Sequence, residues 1–115
     1  MFPKPAKQKK RKNHPKSILQ NEEDGSCYLC VLLEDCWAVY SYREEHHIFF
    51  SKHQRALSEE YGLKVRLCLR HHRNGPLAVH NNQKYRRLLE KKGQQAFEAL
   101  HGHEKFMEVF GENYL

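Results

Sequence analysis

Two pairs of metal-ligating side chains stand at one spacing, Cys27 with Cys30 and Cys68 with His71, each pair separated by two residues. At that spacing a single turn lets both side chains reach one ion, and thiolate sulfur at about 2.3 Å suits a tetrahedral zinc. A hairpin-sized interval divides the pairs, so together they describe a Cys3His structural zinc site, a more specific signal than either half. Redox chemistry is the competing use of a Cys-x2-Cys motif. Cys36 belongs to neither pair. It reads as a small buried hydrophobe, with replacement of His71 as fourth ligand the alternative.

Histidines supply the second signal: the tandem pair His46-His47, then His72 and His80. Neighbours on a strand point to opposite sides, so one imidazole would ligate a metal while the other faces elsewhere. His72 and His80 lie close enough to the second ligand pair for a zinc knuckle to carry them back toward a hairpin. The bland reading is an accidental cluster of surface histidines. Imidazole suits both ligation and proton transfer, because its ordinary pKa lies near neutrality.

The elements that must position these groups are legible in part. Ser17 to Gly25 is a polar lead-in, and Asp24-Gly25 marks a tight turn just before Cys27. Trp37, Val39, Tyr40, Tyr42, Ile48, Phe49 and Phe50 are strand formers, predicting one or two short strands between Cys36 and Phe50 with the histidine pair between them. Ala56, Leu57 and Tyr61 predict a short helix or ordered loop over 52–62. Lys64 to Cys68 alternates polar and apolar residues as a half-buried strand does. Asn74-Gly75-Pro76 then breaks the chain. Beyond Asn82, a candidate N-cap, Tyr85, Leu88, Leu89, Ala96, Phe97 and Leu100 predict an amphipathic helix over 83–100 that Gly102 ends. A short terminal helix over 104–110 stops at Gly111. The fold class is α+β.

With 115 residues, 39% hydrophobic and 30% charged, the chain has room for one domain with a modest core, which a metal would staple. The net charge of +6 is unevenly spread. Lys4, Lys7, Lys9, Lys10, Arg11, Lys12 and Lys16 put +7 into the first sixteen residues without an acid, and the other 13 basic residues face 14 acidic ones. Residues 1–16 are therefore expected to be a disordered basic tail suited to a polyanion, or else an inert solubilising leader, with one domain over 17–115. No stretch approaches the roughly 20 apolar residues that span a bilayer, and the N-terminus lacks the apolar run of a secretory signal. A cytoplasmic chain with reduced thiols is expected, and no membrane partner.

Taken together, His46-His47-Ile48 and Leu67-Cys68-Leu69-Arg70-His71-His72-Arg73 resemble the HNH nucleases that carry a zinc-stapled ββα-metal core, a treble-clef-like architecture. Phage-associated recombination enhancement nucleases are the nearer likeness. It covers 27–82, the zinc and histidine core, and extends more loosely over the helical part at 83–111 with its Phe110-Gly111 end. The resemblance implies a DNA endonuclease in which His46, His72 and His80 hold a catalytic divalent metal (Mg2+, Mn2+, Ni2+ or Zn2+) and His47 is the general base. Cys27, Cys30, Cys68 and His71 would hold the structural Zn2+. It also implies DNA as partner, a homodimer among such enzymes, recombination or phage replication proteins as associates, and a bacterial or phage-infected cytoplasm.

Two departures shape what to expect. The family's middle asparagine has no counterpart in Tyr61-Gly62-Leu63-Lys64, which leaves orientation of the base to a backbone carbonyl or the enzyme weak. Seven residues, Gly75-Pro76 among them, separate His72 from His80, so a loop must return His80 to the site, with Asn81 or Asn82 as substitutes. Lys52, Arg55, Arg66, Arg70 and Arg73 are the candidate phosphate grips, and Tyr40, Tyr42, Phe49 and Phe50 could stack on bases or serve as core. His53, His101 and His103 read as surface or capping residues. A non-catalytic zinc module that binds nucleic acid or protein is the rival function, and a redox or zinc-storage protein a third.

Overall fold

A computed structural model describes residues 15–115. All but the last two residues of the basic tail lie outside the described residues; Lys16, its last cation, meets Glu23 at 3.4 Å on the surface. A 3-10 turn at Glu22–Asp24 leads into α1 (Tyr28–Glu34), β1 (Glu44–His47), α2 (Gln54–Tyr61), β2 (Lys64–Leu67) and α3 (Leu69–His72). A second 3-10 turn at Val79–Asn81 precedes α4 (Gln83–His101) and α5 (His103–Phe110). The described residues thus form a small α+β fold with one two-stranded sheet and five α-helices. None of these helices is long and apolar enough to cross a membrane.

The sheet is an antiparallel pair in which His46 faces Val65 and His47 faces Lys64. Pairing runs one step further, as the Ile48 amide donates to Leu63 O at 2.9 Å. β1 and β2 flank α2, and Ser58 of that helix closes the unit: its hydroxyl donates to Phe49 O at 2.9 Å and accepts from Phe49 N at 3.0 Å. Beneath lies one buried cluster, with Leu29, Leu63, Val65 and Leu67 around the sheet and Leu89, Phe97, Phe106 and Phe110 from the two C-terminal helices. Phe49 joins the parts, its ring 4.8 Å from Phe110 and 5.9 Å from Phe106.

Glycine 93 is where α4 closes on the hairpin. A Cβ there would lie 3.2 Å from Ile48 Cγ2 and 3.4 Å from Phe49 Cε2, so its absence lets the helix backbone pack directly against the residues that follow the histidine pair. This offsets the roughly 1 kcal/mol that glycine costs inside a helix. The α4 start is as expected: Asn82 caps it, accepting from Tyr85 N at 3.1 Å. Both C-terminal helices fall within one residue of the predicted bounds.

The stretch before β1 differs from expectation. Only Glu44–His47 is strand there, the histidine pair lies on it and not between strands, and Trp37, Val39 and Tyr42 are exposed in an irregular loop. Strand formers need an edge to pair with. This loop is instead pinned over α1, with Cys36 N donating to Cys30 O and Tyr40 N to Gly25 O, each at 3.0 Å.

Candidate metal centres

Each cysteine-led pair is built by the same local device. Cys27 is the N-cap of α1 and Cys68 the N-cap of α3, and the first helical turn that follows each brings back the second donor, Cys30 or His71. The four donor atoms are buried and lie within 4.8 Å of one another. His71 Nδ1 is 3.6 Å from Cys27 Sγ, 3.5 Å from Cys30 Sγ and 3.7 Å from Cys68 Sγ, and the Cys30 and Cys68 sulfurs are 3.8 Å apart. A tetrahedral zinc with sulfur at about 2.3 Å and nitrogen at about 2.0 Å has S···S edges of about 3.8 Å and S···N edges of about 3.5 Å. The donor set therefore has the size of a zinc coordination sphere, and it can hold such a metal.

The surroundings fit the same ion. Burial pushes the Cys27 thiol up to about 12 and Cys30 upward as well, so thiolates at these two positions need a cation at hand. Burial, with Arg70 beside it, pushes His71 below its ordinary value and favours the neutral ligand form. His71 Nε2 is buried and among the described residues makes no hydrogen bond, with Glu34 Oε2 3.5 Å away. Once Nδ1 is a ligand the ring proton sits on Nε2, facing that carboxylate. The Tyr40 hydroxyl lies 3.1 Å from Cys30 Sγ. Cys36 is half-buried and outside the donor set.

The remaining histidines meet in a cleft of about 250 Å3 lined by Glu45, His46, His47, Phe50, Arg55, His72 and His80. His46 enters from β1 and is 3% exposed, its ring 5.3 Å from His72 and 5.2 Å from His80. His72 follows His71 on α3, and the helical step that sends His71 to the sulfurs sends His72 to the cleft. The 3-10 turn returns His80, so that its Nε2 lies 3.1 Å from His72 Nε2. That turn is held from two sides: Arg86 of α4 donates to Val79 O at 2.8 Å, and Asn81 Nδ2 to Gly75 O at 3.0 Å. One nitrogen of each of the three rings falls within the same 4.8 Å set. Burial, reinforced by His72 and His80, pushes His46 down to about 3, leaving it a neutral nitrogen donor.

Glu44 was not singled out from the sequence, yet it orients this set. It accepts from His72 Nδ1 at 2.7 Å while Arg73 donates to it at 2.8 and 2.6 Å and Tyr42 at 2.7 Å. Hydrogen bonds from Arg73, His72 and Tyr42 hold its carboxyl down at about 2. The proton of His72 is thereby kept on Nδ1 and the bare Nε2 is aimed at His80, the carboxylate–histidine arrangement common behind metal ligands. Glu44→Ala is expected to lower the affinity of the histidine set for added Mn2+ or Ni2+ roughly 10- to 100-fold by titration calorimetry. Unchanged affinity would show that Glu44 acts only as a surface ion pair.

His47 meets Glu59 of α2, its Nε2 2.7 Å from Glu59 Oε1, in place of the expected backbone carbonyl. Lys64 also reaches this carboxylate, at 2.9 Å. Neither Glu59 nor Lys64 carried a signal in the sequence, since no spacing rule links a strand residue to a helix 12 positions on. Among the candidate phosphate grips, Arg55 lines the cleft and Lys52 is exposed. Arg66, Arg70 and Arg73 are engaged by Glu22, Glu34 and Glu44. Exposed Lys84, Arg87 and Lys91 run along one side of α4. Phe49 is core, whereas Phe50 is 43% exposed at the cleft, 5.4 Å from the rings of His46 and His80. His101 packs on Tyr61 and Phe97, and His103 reaches Glu98 at 2.6 Å, both away from the cleft.

No family model, curated protein or solved structure matches this chain.

Proposed function

We propose that this chain is a metal-dependent endonuclease of the HNH type, a treble-clef-like ββα-metal domain that hydrolyses DNA phosphodiester bonds. One observation carries the reading: three histidine nitrogens converge in an open cleft whose wall also presents His47, beside a separate buried Cys3His set. In this reading Cys27, Cys30, Cys68 and His71 hold a structural zinc. His46, His72 and His80 hold the catalytic ion, Mg2+, Mn2+, Ni2+ or Zn2+. Their donor set of neutral nitrogens fits a divalent cation and leaves the centre net positive toward a phosphate backbone.

When bound, that ion supplies Lewis-acid polarisation of the scissile phosphate and neutralises charge on the leaving oxygen. His47 accepts a proton from the water that attacks phosphorus. Arg55, on the cleft wall, steadies a non-bridging phosphate oxygen by a charge-assisted hydrogen bond. Phe50 shields the histidine set on its open side and offers a flat apolar face to a base or sugar. Lys84, Arg87 and Lys91, together with the basic tail, add sequence-independent attraction to the duplex.

The test is nicking of supercoiled plasmid by purified protein with Mg2+, Mn2+ or Ni2+, beside His47→Ala. Metal-dependent nicking that falls by roughly 10²–10⁴-fold in the variant is the expected result, the usual contribution of a positioned base. Absence of nicking with every metal would return the chain to a non-catalytic zinc module of the same fold.

A further inference from the structure

A neutral imidazole carries its proton on one of two nitrogens, and only the bare one can act as a base. Among the described residues, three charged side chains meet around His47. Its Nε2 lies 2.7 Å from Glu59 Oε1, the other oxygen of that carboxylate accepts from Lys64 Nζ at 2.9 Å, and Lys64 lies 3.6 Å from Glu45 Oε2. The groups come from β1, α2 and β2, with Lys64 directly opposite His47 in the sheet.

Donor atoms of Glu45, His47 and Glu59 are close enough to suggest a third metal set. Two features speak against it. The Lys64 ammonium, in a residue only 6% exposed, already supplies a cation between the two carboxylates. And 2.7 Å is a hydrogen-bond length, shorter than the edge of about 3.0 Å between two ligands each about 2.1 Å from one ion.

We infer that Glu59 is the positioning residue of His47: it accepts from Nε2–H and so holds the ring in the tautomer whose Nδ1 is bare, with Lys64 fixing the carboxylate in turn. This rests on the reading of His47 as the base. Burial opposes charge on Glu59, but hydrogen bonds from Lys64 and His47 outweigh it and hold the carboxyl down at about 2, so the group is acceptor-only. Lys64 gives the arrangement a direction. Its ammonium has no acceptor to offer, so whatever replaces Glu59 must turn an oxygen toward it.

Glu59→Gln exploits that asymmetry without changing shape. Lys64 selects the amide oxygen, the NH2 group faces His47 Nε2, and the ring proton moves to Nδ1, where it blocks the base. Nicking is expected to fall on the order of 10²–10⁴-fold in kcat with KM for DNA unchanged, the pattern of a base trapped in the wrong tautomer. Long-range 1H–15N spectra of the His47 ring, recorded without DNA, should show the proton on Nε2 in the unaltered chain and on Nδ1 in the variant. Adding Lys64→Met to Glu59→Gln removes the ammonium that selects the amide oxygen, and should restore the Nε2 proton and part of the rate. A proton on Nδ1 in the unaltered chain overturns the proposal whether or not DNA is cut. Equal loss of rate with and without Lys64, at an unchanged tautomer, overturns it as well and assigns Glu59 to the scaffold. If no protein cuts DNA but the proton moves as described, the positioning role stands and the nuclease reading fails.

Discussion

Removing the metal from Cys27, Cys30, Cys68 and His71 is expected to unfold the chain from Cys27 to Asn82, and Cys30→Ser to do the same in the presence of zinc. The magnitudes decide this. Zinc sites of this kind contribute about 10–16 kcal/mol near neutral pH, while whole domains are stable by only about 5–15 kcal/mol. The sulfurs and His71 stand at the junction of α1, β2 and α3, so a zinc held there would tie three elements together. Without it, burial keeps Cys27 and Cys30 as neutral thiols, which link α1 to Cys68 and His71 only through weak sulfur contacts. Far-UV circular dichroism and amide dispersion after chelation check the expectation, with recovery on adding Zn2+. A thermal melt that does not change on complete metal removal would contradict it.

His80→Ala is expected to show the reverse profile, with folding intact and chemistry lost. His80 sits in a turn whose backbone is held independently by Arg86 and Asn81, so truncating its ring leaves the scaffold in place. What disappears is one of three nitrogens for the proposed catalytic ion, which supplies several kcal/mol of charge stabilisation. Plasmid nicking should drop by roughly 10²-fold or more, because each 1.36 kcal/mol is a factor of ten in rate. One zinc per chain and the melting temperature should persist. Retained nicking would remove His80 from the site; a joint loss of zinc and folding would merge the two centres into one.

The two centres therefore answer to different experiments, and they were also unequally visible in the sequence. Cys27, Cys30, Cys68 and His71 announce themselves because a spacing of two residues closes within one helical turn, a relation that needs no distant partner. α4 was equally plain, since its apolar period, the Asn82 cap and Gly102 all act within the helix. β2 followed from alternation over four residues. The stretch from Trp37 to Tyr42 misled because strand propensity describes side chains that fit a sheet, not whether a neighbouring strand exists to pair with.

Carboxylates were the blind spot. Glu44, Glu45 and Glu59 are three of many acids in the chain, and nothing local separates those that orient a histidine from those that meet water. The same holds for cations. Arg66, Arg70 and Arg73 look as available in the sequence as Arg55, yet the fold gives each of the first three a carboxylate partner.

What the sequence determined by itself is the donor inventory: which cysteines and histidines are spaced to share an ion, and which helices and strand carry them. That much is local, written in spacings shorter than a turn or in the period of one element. Only the tertiary structure decided which histidines face one another, that a loop of seven residues returns His80 to His72, and that Glu44 and Glu59 stand behind His72 and His47. Those relations depend on the antiparallel pairing of β1 with β2 and on the packing of α2 and α4 against it, contacts between residues far apart in the chain whose geometry no short spacing encodes.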